Sequence, residues 1–456
     1  MPSRPLTLLI CISLAVASYL LIPGDDRVRT GLALFVLTGS LWISQALHLS
    51  LTALLVPLLA ALTGALTLRD ALGAFAQPVI FLFLGGFALA AALSRHGLDR
   101  ALAHAMLRAT RGRFSLAVAG LFGLTAFLSM WLSNTATTAM MLPLALGLLR
   151  VEPGQETQEA AGSVIARTRA FVLLGLAYSA SIGGMGTLVG SPPNAIAAAQ
   201  AGISFVQWLS IGIPLVLALL PLMVATLYVL LRPQLGSAGT PTTATEASDF
   251  TWTSKRRLTL LIFCLTVAGW VGGEPLGRLL GLNQDMDTLV ALAAIGLLGV
   301  TGVLDWRDIE RQTQWGVLLL FGGGLALSQV MSATGASGFL AQGLMSWVNG
   351  APTWLILLAL VAFVVMLTEL VSNTACAAII IPVVMGLAPA WGMSEAGIAA
   401  AIAVSASCAF MLPVATPPNA IVFGTGMVPQ RTMMRCGLAL NLVATLTVSL
   451  AVSLWR

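Results

Sequence analysis

The sequence predicts an all-α polytopic membrane protein, with about 11 transmembrane helices and two hairpins that enter the bilayer and return. Three observations carry this. Of 456 residues, 58% are hydrophobic and 9% charged, whereas a soluble domain carries about 25% charged residues. Apolar runs of bilayer-spanning length recur along the chain. A polar triplet, Ser-Asn-Thr, occurs twice inside such runs, at Ser133 and at Ser372.

The first run, 6–22, follows Arg4 and leads into Pro23-Gly24-Asp25-Asp26. No small-x-small cleavage site follows it, so it reads as a retained span. Further spans fall at 31–48, 51–67 and 78–94. A stretch with five arginines, 94–113, follows; Leu98, Leu102, Ala105, Met106 and Ala109 recur there at helical spacing, which predicts a helix lying in the membrane interface. Next come 114–149, 171–200 and 205–231. A polar linker over 232–257, rich in Pro, Gly and Thr, breaks the pattern. Beyond it lie 258–273, 288–303, 315–333, 353–391, 397–427 and 436–455.

The two halves repeat each other. FLFLGGFALA from Phe81 matches LLLFGGGLAL from Leu318, the two SNT segments match, and GSPPNAI from Gly190 matches ATPPNAI from Ala415. The order is kept, with offsets of 237, 239 and 225 residues. This is an internal duplication. A single straight helix over 114–149 or 353–391 would bury SNT in hydrocarbon. A hairpin with SNT at its tip, lining a cavity, avoids that cost. Proline ends a helix, so Pro192, Pro193, Pro417 and Pro418 predict that 171–200 and 397–427 unwind and restart.

Charge orients the chain. With the N-terminus inside, 17 Lys and Arg fall on the cytoplasmic side and five outside. The two hairpins then enter from opposite sides, making the repeats inverted, with a site near the midplane between them.

The motif chemistry points to an anion. Ser and Asn are strong N-caps, and each helix that follows presents free N–H groups and a partial positive charge. Ser191 and Thr416 are placed as caps, with Pro192 and Pro417 in the first helical position. Four such helix starts suit a carboxylate. No Lys or Arg lies in the four segments, so bound sodium ions would supply the missing charge, held by carbonyls and by Ser, Asn and Thr oxygens. Ser129 and Thr368, four residues before each SNT serine, add an oxygen one turn back.

Glu369 is the one acid in these motifs, and Met130 holds the matching place. The missing counterpart favours a hydrogen-bonded helix residue near the domain surface over proton or ion coupling. His48, His96 and His104 lie away from the motifs and read as structural. Cys11, Cys264, Cys376, Cys408 and Cys436 lie in apolar stretches without metal-ligand spacing and read as buried thiols. Nucleic-acid binding is excluded despite the net charge of +5, because no basic helix face exists. Hydrolysis at Ser133 or Ser372 lacks a nearby base, so the chain does not read as an enzyme. A channel would need a continuous polar path along a span, and none is present.

SMWLSNTAT, GSPPNAIAAA, WGVLLLFGGG and CAFMLPVATPPNAIVFG together resemble the divalent anion/sodium symporters, in particular the bacterial INDY-type dicarboxylate carriers. The resemblance runs over nearly the whole chain except 150–170 and the linker. It implies a homodimer in lipid, in a bacterial inner membrane with the N-terminus cytoplasmic. It implies an elevator: scaffold segments 1–113 and 258–349, transport segments 114–232 and 350–456, and a linker over 233–257. It implies symport of sodium with succinate, malate or fumarate and no organic cofactor; exchange without net sodium coupling, or carriage of citrate or sulfate, stays open. Matched by position, one sodium site takes Ser129, Ser133, Asn134 and Gly190, and the other takes Thr368, Val371, Asn373 and Ala415. The substrate touches Asn134, Thr135, Ser191, Asn373, Thr374 and Thr416. Val371 stands where relatives often have Ala, and its ligand there is the backbone carbonyl.

Overall fold

The computed structural model describes residues 4–149, 163–235, 251–281, 285–348 and 352–454. Most of the linker, and the loop that precedes residue 163, lie outside these. Among the described residues every regular element is helical. Six helices are long and apolar enough to cross a bilayer, and six shorter apolar helices of 12 to 16 residues accompany them. A 16-residue helix reaches only about 24 Å, short of a hydrocarbon core of about 30 Å. Several of the short helices are the arms around SNT and PPN, where the sequence predicts interruption.

The duplication extends past the three motifs. In the first half Pro78–Arg95, Leu98–Ala109, Phe114–Ser129, Asn134–Leu148, Val164–Gly183, Pro192–Ala201 and Phe205–Leu231 follow one another. Trp315–Ala333, Ala336–Val348, Thr353–Thr368, Asn373–Met385, Glu395–Ala406, Pro417–Phe423 and Gln430–Leu454 repeat that order in the second. Helix Ala336–Val348 is absent from the sequence reading. It is the counterpart of Leu98–Ala109 but carries no charge, so no polar face betrays it. The short helices Leu68–Gly73 and Trp306–Gln312, each one turn or two before the repeat, were also not anticipated.

The glycine motifs explain how the first spans pack. Pro78–Arg95 lies against Met286–Val300, and Leu49–Leu62 against Trp315–Ala333. A Cβ on Gly85 would meet the Ala291 Cβ at 2.6 Å, and one on Gly323 the Ala53 Cβ at 2.6 Å. Small residues let these backbones approach, the usual solution where lipid offers no hydrophobic drive between helices. Gly86 faces elsewhere: its added Cβ would lie 2.8 Å from Val189 Cγ1, beside the PPN segment.

A polar corner ties the interfacial region to the second half. Arg95 pairs with Asp308 and, at 3.8 Å, with Asp305. His96 Nε2 is 3.0 Å from Val303 O, and Arg256 Nε donates to His96 O at 2.9 Å. His48 caps Leu49–Leu62 through Nδ1 instead of ending the span before it; that span stops at Ser44. All five cysteines are free thiols. Cys264 corrects the expectation that all are buried: it is exposed, on the outer face of Ser254–Val271.

Gly85→Leu should lower stability by about 1–3 kcal/mol through overpacking, read as a lower midpoint of thermal unfolding in detergent. An unchanged midpoint would contradict the close contact with Ala291.

Candidate functional site

Each SNT segment ends one helix and begins another. Phe114–Ser129 stops, four residues intervene, and Asn134–Leu148 starts; Thr353–Thr368 and Asn373–Met385 do the same. The two arms pack together in each case. Each PPN segment restarts a helix after a stretch outside any helix, Gly184 to Ser191 in the first half and Ser407 to Thr416 in the second. The restarted helix of each half lies against the other half. Pro192–Ala201 packs on Glu395–Ala406 and Asn373–Met385, and Pro417–Phe423 packs on Val164–Gly183 and Asn134–Leu148.

The PPN asparagines hold these unwound stretches. Asn194 Nδ2 donates to Gly184 O (2.9 Å) and Thr187 O (2.7 Å). Asn419 Nδ2 donates to Ala409 O (3.1 Å) and Leu412 O (3.0 Å). In both halves the amide reaches back ten and seven residues. Both asparagines are fully buried. Sequence reasoning singled out the prolines and passed over these amides, although the doubled PPN was a visible signal for them. The next carbonyl of each stretch has an aromatic donor: Trp208 Nε1 to Met185 O (3.0 Å) and Tyr178 OH to Phe410 O (2.7 Å). Gly212 and Gly437 let the following helix press on the same two carbonyls.

The tips are lashed to the breaks by different chemistry. In the first half Thr187 Oγ1 donates to Met130 O (2.5 Å) and accepts from Gly190 N (3.2 Å). In the second half Glu369 does this work. Oε1 accepts from Phe410 N and Met411 N, both at 2.8 Å, and Oε2 from Leu412 N at 2.9 Å. Asn441 Nδ2 donates to Oε1 at 2.8 Å. Glu369 is 1% exposed, which corrects its expected place near the domain surface. Unwinding frees three consecutive N–H groups, and a carboxylate can gather them; Met130 has no such task because Thr187 serves.

Oxygens collect beside both tips. Ser129 Oγ donates to Asn134 Oδ1 at 2.6 Å. A Cβ on Gly190 would lie 2.6 Å from Gly184 O and 3.0 Å from Ser129 O, and one on Gly184 would run into Asn134 Oδ1. Thr368 Oγ1 is 2.8 Å from Asn373 Oδ1 and 2.7 Å from Ala406 O. A hydroxyl has one proton and serves one of those acceptors at a time. Hard oxygens crowded together with few protons suit a small hard cation. Gly184 and Ala406 join these groups unannounced by the sequence, since their contribution is backbone.

Other expected residues fall as follows. Ser133 caps its helix, accepting from Ala136 N (3.2 Å), and Thr416 accepts from Asn419 N (3.3 Å). Ser372 and Ser191 stand at the cap positions without a side-chain cap bond, which corrects the reading of Ser191 as a side-chain cap. Its hydroxyl turns instead to Ser407 Oγ at 3.3 Å, joining the two breaks. Thr374 is buried after Asn373, while Thr135 is exposed after Asn134. Val371 is buried and Ala415 half-buried; neither side chain is polar.

Removing the Glu369 acceptor leaves four buried donors bare, at about 1–3 kcal/mol each. Glu369→Ala should therefore fail to accumulate as folded protein, or melt far below wild type. The isosteric Glu369→Gln should fall between them. Equal thermal midpoints for wild type and Glu369→Ala would contradict the lashing role.

Duplicated broken helices, each packed on the opposite half beside buried polar groups, are the mark of a membrane carrier. The citrate transporter family (CitMHS) matches residues 40–405. An uncharacterized transporter of Haemophilus influenzae is 46% identical over 94% of this chain and 92% of its own. The sodium-dependent dicarboxylate transporter SdcS of Staphylococcus saprophyticus is 30% identical over 96% and 89%. The crystal structure of the YdaH transporter of Alcanivorax borkumensis shares the fold, with a TM-score of 0.55 and 14% identity over 84% of this chain and 87% of that one. The chain belongs to the citrate transporter (CitMHS) family and is a transporter of the divalent anion/sodium symporter type. It is an integral membrane transporter.

Proposed function

We propose that this protein couples inward sodium flow to uptake of C4-dicarboxylates such as succinate, malate and fumarate. The observation that carries the reading is the pair of oxygen clusters at Ser129–Asn134 and Thr368–Asn373, each at the start of a helix. Each helix start offers N–H groups and partial positive charge to a carboxylate. Sodium would sit among Ser129, Ser133, Asn134 and Gly190 on one side, and Thr368, Val371, Asn373 and Ala415 on the other. The dianion would lie between, against Asn134, Thr135, Ser191, Asn373, Thr374 and Thr416. With no Lys or Arg in these segments, the cations and the anion complete each other's site, and that gives coupling.

The lashing of tip to break in each half favours movement as a rigid body, an elevator in which 114–232 and 350–456 travel against a scaffold of 1–113 and 258–349. The two hairpins would be re-entrant, from opposite faces. The N-terminus would be cytoplasmic, which accords with the distribution of Lys and Arg, and the carrier would work as a homodimer in the inner membrane. The relatives named for sodium-dependent dicarboxylate transport support the substrate class. The family's description names citrate, so citrate is the second substrate to test.

Uptake of labelled succinate and citrate into proteoliposomes, with a sodium or a potassium gradient, tests the reading. Sodium should drive concentrative uptake; equal uptake in potassium rejects symport. Asn134→Ala and Asn373→Ala should each cut uptake below about a tenth, since a hydrogen bond to a charged group contributes about 1.5–3 kcal/mol. Both variants should elute and melt like wild type. Uptake close to wild type in both would reject the site.

A further inference from the structure

We propose that a second, separate site on this protein holds the phosphate of an anionic phospholipid head group. A cavity of about 300 Å³ opens where three helices end together: the start of Val164–Gly183, the end of Phe205–Leu231 and the start of Gln430–Leu454. Arg167, Arg431 and Arg435 line it, with Thr432 between them, and among the described residues no acidic side chain does. None of the three guanidinium groups forms an ion pair among the described residues. Arg167 Nε is buried without a hydrogen-bond partner.

Three guanidinium groups around one small cavity repel each other unless an anion sits among them. Two helix starts add partial positive charge, and one helix end subtracts some, so the arginines decide the sign. Guanidinium forks match phosphate oxygens in pairs. The surroundings choose the source of the phosphate. Ile165 (54% exposed), Val229 (67%), Met434 (37%) and Leu438 (45%) border the cavity's helices with apolar surface that faces outward. A free phosphate has no use for that rim, whereas a lipid places its head group among the arginines and its chains along the rim. Basic pockets between spans are suited to such head groups. Arg100 and Arg108 of Leu98–Ala109 do not line this cavity. The inference does not depend on which solute the carrier moves.

The test uses full-length protein, purified and stripped of lipid in neutral detergent. Its melting temperature is titrated with short-chain phosphatidylglycerol, with phosphatidylcholine of equal chain length, and with sodium phosphate. Phosphatidylglycerol should raise the midpoint saturably, and the other two should not. Arg167→Gln, Arg431→Gln and Arg435→Gln should each weaken the response roughly fivefold, while Arg108→Gln leaves it unchanged. Native mass spectrometry of wild type released from mixed-lipid nanodiscs should retain phosphatidylglycerol selectively, which keeps the test open even where a variant does not fold. An equal effect of phosphatidylcholine, an equal effect of inorganic phosphate, or a full response in all three arginine variants overturns the proposal.

Discussion

Everything in this structure depends on how backbone amides are satisfied where helices break inside an apolar protein. Lipid offers no hydrogen bonds, so each freed N–H or C=O needs a partner from the chain itself. The PPN asparagines supply that partner in both halves, each bridging carbonyls ten and seven residues back. Trp208, Tyr178, Thr187 and Glu369 take further groups. Beside Ser129 and Thr368 oxygens outnumber the protons that serve them: Gly184 O and Asn134 Oδ1 in the first half, Ala406 O and Asn373 Oδ1 in the second.

The same bonds shape the mechanics of the site. Thr187 joins a hairpin tip to a break in the first half, and Glu369 joins its tip to a break in the second. Ser191 and Ser407 join break to break. A cluster stitched in this way has few soft joints, so motion is easier at its outer contacts. One of those contacts is Gly86 against Val189, a bare helix surface against a branched side chain. It contains no hydrogen bond to break.

Much of the fold was legible in the sequence because its signals were redundant. Apolar run length placed the spans, and doubled SNT and PPN segments placed the interruptions at Ser129–Asn134, Gly184–Ser191 and their counterparts. Helix Ala336–Val348 was not legible: a short helix without charge lacks the periodic polar face that marked Leu98–Ala109. The polar members of the candidate site were legible by residue type. Gly184 and Ala406 were not, because backbone oxygens carry no mark in the sequence. Glu369 was misplaced for a related reason. Its partners are three main-chain N–H groups about forty residues away, and a missing acid at Met130 was read as a sign of unimportance when another residue, Thr187, did the equivalent work.

That substitution of one device for another shows how far the duplicated halves have diverged. Repeats that once performed identical tasks now solve them with non-equivalent atoms, a hydroxyl on one side and a carboxylate on the other. Exchanging one device at a time would fail: methionine at position 369 would strand the amides of Phe410, Met411 and Leu412, and a glutamate at position 130 would enter a tip that Thr187 already holds. The symmetry of the backbone conceals two different sets of supports, each fitted to its own break.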